Sequence, residues 1–287
     1  MFFAIPDAVL TFCANRGYGA VVSATKLTGG LVNQTRRIKT TSGMSFILKQ
    51  NCANRADRFF QCEADGLRTL RAAGMRTPDV RAVGPDFLLL EDVGVPSAEP
   101  DWEAFGRAVA EQHRHRSLRY GFAYDNYLGS LPQINTWSEN GHAFFGHQRV
   151  LRYLSEPQCE QALTTRDRHD LEHLVKRLPE LVPVQPPSLL HGDLWHTNML
   201  VDARGMPTVI DPAVYYGWPE ADLSMTRQYG NVPPVFFQAY TEVHPLATGW
   251  WDRLELLMIR QHLAVLAFFG NEFNTLADLR AVIAKFQ

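Results

Sequence analysis

Three side chains in one stretch of the chain could share a phosphoryl-transfer reaction. Asp193 follows His191-Gly192, Asn198 lies five residues further on, and Asp211 thirteen beyond that. A carboxylate such as Asp193 can accept the proton of an attacking hydroxyl. The oxygens of Asn198 and Asp211 are the hard ligands that Mg2+ takes when it bridges ATP phosphates. Met199-Leu200-Val201 and Thr208-Val209-Ile210 read as short strands joined by the turn Asp202-Ala203-Arg204-Gly205, with Pro207 closing it. A hairpin of that length returns Asn198 and Asp211 to the same end.

Two plainer readings compete. His191, Asp193 and His196 could be zinc ligands, but histidines five apart do not share a helical face and no further His or Cys cluster accompanies them. Asp193 and Asp211 could also be ordinary turn carboxylates. The ordered set argues otherwise: in protein kinases a His-Arg-Asp loop is followed by a metal-binding Asn and then Asp-Phe-Gly, and here the counterparts are His191-Gly192-Asp193, Asn198 and Asp211-Pro212-Ala213.

The elements that would position this set lie upstream. A short helix after Pro6 ends at Gly17 and Gly19, a strand is expected at Val21-Val22, and a strand pair flanks residues 40–43, ending at Phe46-Ile47-Leu48-Lys49. Gly29 and Gly30 would let backbone N–H groups approach phosphate oxygens. Lys49 closes an apolar strand, where a kinase-type lysine reaches the phosphates. In the helix expected over residues 55–73, Glu63 lies on the apolar stripe of Phe60, Ala64, Leu67 and Leu70. A carboxylate on such a face needs a partner, and Lys49 on the neighbouring strand is the natural one. The apolar run at residues 86–93 reads as the last strand before a hinge, where backbone groups from Glu91 to Val93 would meet the adenine edge and side-chain identity is nearly free. The Pro-rich segment 96–100 is the best linker, so the boundary is set near Gly94.

Beyond it, Asp101 caps a helix running to His115, in which His113 and His115 read as structural groups. The polar, aromatic segment 124–137 reads as a long loop of the kind that borders binding sites. Helices are expected at about residues 143–154 and 166–178. Asp222 could either brace the catalytic-loop backbone or cap its own helix. Residues 236–241 and 250–269 read as buried helices, the second interrupted by charges that include Arg253 and Arg260. The segment after Asp211 is too short for a peptide-docking platform, which favours a small acceptor.

Composition sets outer limits. With 287 residues, 46% of them apolar, two cores can be filled. A net charge of -2 gives no basic field for nucleic acid or acidic lipid. Cys13, Cys52, Cys62 and Cys159 form no Cys-x-x-Cys pair. No uncharged apolar stretch is long enough to span a membrane, and the opening residues lack the positive region of a signal peptide, so a cytoplasmic location is expected.

The whole pattern resembles the fructosamine kinase family, relatives of the aminoglycoside and choline kinases. The resemblance covers nearly the whole chain. It rests on residues 190–195 (Leu-His-Gly-Asp-Leu-Trp) with Asn198, residues 210–213 (Ile-Asp-Pro-Ala) with Tyr216-Gly217, residues 220–223 (Glu-Ala-Asp-Leu), Pro132 with Asn135-Thr136-Trp137, and Phe269-Gly270. It implies an α+β, bilobal, protein-kinase-like fold: an antiparallel-sheet N-terminal lobe with one main helix over residues 1–94, and a mainly helical C-terminal lobe over residues 95–287. The implied reaction moves the γ-phosphate of ATP, with Mg2+, to the sugar 3-hydroxyl of a ketosamine, a small glycated amine or a glycated lysine side chain. The family is regarded as a deglycation repair system. Trp195, beside the base, would stack on the sugar, with His196 and Tyr216 also on the substrate side. His196-Thr197 replaces the small residues usual in the family.

Two other functions are weighed. A kinase of the same fold acting on an amino alcohol or antibiotic would be expected to show an acidic acceptor region, whereas the aromatic group Trp195, Tyr215, Tyr216 and Trp218 suggests a sugar. A nucleotide-binding regulator without turnover is disfavoured by the intact set Lys49, Glu63, Asp193, Asn198 and Asp211.

Overall fold

The computed structural model describes residues 4–27, 33–51, 58–94, 99–227 and 232–287. Its N-terminal part is a five-stranded antiparallel sheet in the order β1-β2-β3-β5-β4, built from β1 (Val21–Lys26), β2 (Gln34–Thr40), β3 (Ser45–Gln50), β4 (Val80–Val83) and β5 (Phe87–Glu91). The turn between β2 and β3 uses Gly43 at φ +83°, the left-handed region where glycine is least strained.

Helix α1 (Asp7–Asn15) covers one face of this sheet and α2 (Phe59–Ala72) the other. That explains the unbroken apolar run of β5. Side chains alternate along a strand, so Phe87 and Leu89 pack with Val9 and Cys13 of α1, while Leu88 and Leu90 pack with Phe60, Ala64 and Leu67 of α2. Each fully buried side chain of this kind contributes about 1.5–3 kcal/mol, and Leu67→Asp would put an unpaired charge at the centre of the second layer.

The remainder is mainly helical. Asp101 accepts the Ala104 N–H at 3.0 Å and so caps α3 (Trp102–His113). A hairpin of β6 (Asn126–Leu128) and β7 (Leu131–Gln133) follows, then α4 (Gly141–Phe145), α5 (Pro157–Ala162) and α6 (Thr165–Leu181). Next come β8 (Ser188–Leu190), β9 (Met199–Val201), β10 (Pro207–Val209) and β11 (Tyr215–Gly217). The chain ends with α7 (Pro219–Arg227), α8 (Pro234–Val243), α9 (Trp250–Leu257), α10 (Ile259–Phe269) and α11 (Thr275–Phe286). Gly106 lets α3 cross α8 closely, because a Cβ there would collide with the Phe236 carbonyl.

Strand β8 pairs with β11 between two cores: Leu189 belongs to the one containing Phe105, Phe236 and Tyr240, and Leu190 to the one containing Phe144, Leu171 and Leu263. The residues that follow β8 therefore leave a strand fixed on both sides. Three expectations change here, the first being the helix expected at about 143–154, which is α-helical only over Gly141–Phe145 and continues as π and 3-10 turns to Ser155. The loop at residues 124–137 contains the β6–β7 hairpin, whose two-residue turn Gly129-Ser130 has Gly129 at φ +55°. The helix expected at 250–269 is divided into α9 and α10 at Met258, whose ψ of -17° is closer to 3-10 than to α geometry.

Candidate active site

Strand β8 leads through His191-Gly192 to Asp193, which lines a cavity of about 590 Å3, within the range usual for small-molecule sites. Lys49, Glu63, Asp193, Asn198 and Asp211 all line it, with Trp195 and Val93. The β9–β10 hairpin does what its length predicts: Val209 pairs with Met199, the Ile210 N–H donates to the Asn198 carbonyl at 3.1 Å, and Asp211 emerges beside Asn198. Asp211 sits at φ +56°, a conformation that Asp tolerates better than most residues.

Lys49 Nζ donates to Glu63 Oε1 at 2.5 Å and also to the Asp211 carboxylate. Burial alone would lower the lysine pKa, but Asp211 and Glu63 together hold it above the ordinary value. Burial pushes the Glu63 carboxyl up, against the pull of Lys49. The lysine thus bridges the N-terminal sheet, α2 and the strand end carrying Asp211.

Asp193 is half-buried, and desolvation pushes its pKa up to about 7, with Asp211 and Asp222 adding to the rise and Arg260 and Asn198 opposing it. Asn198 Nδ2 donates to the Asp193 carbonyl at 2.8 Å and to Asp193 Oδ2 at 3.0 Å, which leaves Asn198 Oδ1 as the atom available to a cation. Both nitrogens of His191 are used within the protein. Nε2 is 2.9 Å from the Ile210 carbonyl and Nδ1 accepts the Asp193 N–H at 3.2 Å, which fixes a neutral tautomer and removes His191 as a metal ligand. Burial depresses the pKa of that imidazole.

Asp222 resolves in favour of the brace. Its carboxylate accepts the His191 N–H at 2.6 Å and the Gly192 N–H at 2.8 Å, and it also meets His113 Nε2 at 3.2 Å. His113 Nδ1 in turn pairs with the Tyr240 hydroxyl at 2.7 Å, so His113 is structural, as expected.

The segment expected as a hinge is more constrained than the sequence suggests, and its side chains are not free. Glu91 takes two bonds from Arg76, at 2.6 and 3.0 Å, and one from the Asp79 N–H at 2.9 Å. Asp92 takes two from Arg37, at 2.6 and 3.0 Å, and one from Ser45 at 2.6 Å. Burial would raise both carboxyls, yet these bonds hold both below the usual range. Arg76 also reaches Asp202 at 3.3 Å, and the Val93 carbonyl accepts the Ala203 N–H at 2.9 Å. The segment following β5 is therefore tied to the β9–β10 turn.

Not every expected residue arrives. Gly29 and Gly30 lie outside the described residues. Tyr216 does not line the cavity: alternation along β11 turns Tyr215 into the core, and the Tyr216 ring packs 6.1 Å from Phe122 and 6.3 Å from Trp137. Trp218 is buried in the same core as Tyr215, so the supposed aromatic group at the site reduces to Trp195. His196 is also outside the lining, in a short turn with its ring edge-on to Trp195, while Thr197 faces the cavity.

The fructosamine kinase family model matches residues 11–285. The chain belongs to the fructosamine kinase family. A probable ketoamine kinase of Enterococcus faecium is 35% identical over 258 residues, covering 87% of this chain and 91% of its own. The chloroplastic protein-ribulosamine 3-kinase of Arabidopsis thaliana is 32% identical over 260 residues, covering 87% and 78%. Among solved structures, a Thermobifida fusca chain assigned to fructosamine-3-kinase superposes with a TM-score of 0.86 at 30% identity, covering 98% of this chain and 100% of that one. Choline kinase LicA of Streptococcus pneumoniae, at 17% identity and a TM-score of 0.68 over 98% and 99%, shares the fold. The expected α+β, protein-kinase-like architecture and its kinship are thus borne out.

Proposed function

We propose that this fructosamine kinase family member transfers the γ-phosphoryl group of ATP to the sugar 3-hydroxyl of a ketosamine, with Asp193 as proton acceptor. The acceptor oxygen forms a bond to the γ-phosphorus, the bond from that phosphorus to the β,γ-bridging oxygen breaks, ADP departs, and the hydroxyl proton passes to the Asp193 carboxylate. Lys49, oriented by Glu63, pairs with the phosphates. The Val93 N–H would donate to adenine, while the Val93 carbonyl accepts the Ala203 N–H. We place the division between nucleotide and acceptor lobes at residues 1–94 and 95–287.

The donor set fits Mg2+. Asn198 Oδ1 and the Asp211 carboxylate are hard oxygen donors, and Mg2+ commonly takes one or two protein ligands beside phosphates. Among the described residues no three His, Cys, Asp or Glu side chains group as a metal cage, and none is needed. Bound there, the ion would neutralise phosphate charge.

One observation supports this reading above the others: Lys49 joins Glu63 and Asp211 in the cavity that also receives the Asn198-bonded Asp193. The test is ADP release with fructosamines, ribulosamines, choline and aminoglycosides offered in turn. The proposal expects turnover with the ketosamines, and turnover confined to choline or an aminoglycoside would overturn it.

A further inference from the structure

Arg260, on α10, is 3% exposed and lies behind the catalytic loop. Its Nη2 donates to the Gly192 carbonyl and to Gln133 Oε1, each at 2.9 Å, and Nη1 is 3.9 Å from Met225 Sδ. These partners are all neutral. A buried guanidinium without a bonded carboxylate is costly, and an apolar side chain would fill the same space at lower cost. Asp193 and Asp222 are the carboxylates whose charge reaches it.

The peptide it holds is the one leading into Asp193. Gly192 has φ +81°, and a Cβ there would collide with the Ala213 carbonyl, so the backbone has little choice of path. Its N–H is held by the anion Asp222 and its carbonyl by the cation Arg260. Gln133, the second partner, is itself fixed: its Nε2 donates to Asn126 Oδ1 and to the Ala213 carbonyl, both at 2.9 Å. The guanidinium is thus anchored to the β6–β7 hairpin that borders the cavity.

We propose that Arg260 is a positioning residue for phosphoryl transfer: it fixes the Gly192–Asp193 peptide plane, and its charge allows Asp193 and Asp222 to stand close together in one site. A carboxylate aimed by a rigid backbone loses little orientation when the acceptor arrives, and positioning is where this class of reaction gains most. This rests on Asp193 being the proton acceptor.

The test compares Arg260→Gln and Arg260→Lys in the full chain, measuring kcat with a ketosamine, KM for MgATP, acceptor-free ATP hydrolysis and Tm. Arg260→Gln removes the charge, and its amide, two bonds shorter than the guanidinium, falls short of the Gly192 carbonyl, so kcat should fall about 10- to 100-fold with KM for MgATP within about threefold. Arg260→Lys keeps the charge and should recover much of the loss. Wild-type kcat in Arg260→Gln, or a loss matched by its unfolded fraction, overturns the proposal, as does an equal loss in both variants. Should Arg260→Gln fail to fold, a severalfold lower kcat at unchanged Tm in Arg260→Lys supports it, and wild-type kcat there overturns it. If the wild type phosphorylates no ketosamine, the functional reading fails, while acceptor-free hydrolysis still reports on Arg260.

Discussion

Lys49 and Glu63 are joined at 2.5 Å, strand to helix, with the side chains 7% and 12% exposed. The pair sets where the lysine stands relative to Asp211. Removing either residue leaves the other as a buried charge, so Lys49→Ala and Glu63→Ala should each raise KM for ATP or lower kcat. Their effects should not add, because both delete the same positioned ammonium. A double-mutant cycle on kcat/KM checks this, and fully additive losses would sink the pairing.

In the proposed reaction Asp193 and Asp211 divide the chemistry. Asp193→Asn should nearly abolish turnover yet keep MgATP affinity within about threefold, since proton acceptance matters in the transition state more than in nucleotide binding. Asp211→Asn should instead weaken Mg-dependent nucleotide binding. Calorimetry with MgATP separates the two, and the reverse pattern would exchange their roles.

Trp195 is half-buried and faces the cavity, outside the buried cores. Stacked on the apolar face of a sugar, its indole would hold the ring in one orientation. Trp195→Ala should cut kcat/KM for a ketosamine about 10- to 30-fold with Tm and ATP binding nearly unchanged. A Tm lower by several degrees, with normal turnover in the folded fraction, would make Trp195 a packing residue instead.

Acid stability should depend on Asp167 at the start of α6. Arg280 bonds it twice at 2.8 Å and, with the Thr164 cap, holds its carboxyl well below the usual range. A carboxyl depressed in the folded state adds stability above its unfolded pKa of about 3.9 and loses it as pH falls toward the folded value. Arg280→Ala should therefore melt below wild type at pH 6, with the gap narrowing below about pH 4. A gap constant with pH would show that the pair contributes nothing through ionisation.

Much of the site was legible because its chemistry dictates spacing. Asp193, Asn198 and Asp211 are near in sequence and separated by one hairpin, and a carboxylate on the apolar stripe of α2 pointed to Lys49. Tyr216 was not legible, because in Tyr215-Tyr216 on a three-residue strand nothing local tells which ring faces the core. Glu91 and Asp92 escaped because their partners Arg76 and Arg37 lie 15 and 55 positions away. A signal for Arg260 did exist: Arg253 and Arg260, seven apart in an apolar stretch, are both buried, Arg253 against Glu220 at 2.7 Å. Charges at that spacing on an apolar face call for buried partners, whereas they read as mere interruptions of the stripe.

The central claim is transfer to the sugar 3-hydroxyl with Asp193 as base, and 31P NMR of ATP with a fructosamine tests it most directly. The account predicts a new phosphomonoester resonance coupled to the hydrogen on sugar carbon 3, growing as ATP is consumed with the wild type and absent with Asp193→Asn. A phosphoryl group on another oxygen, or the same product formed at the wild-type rate by Asp193→Asn, would contradict it.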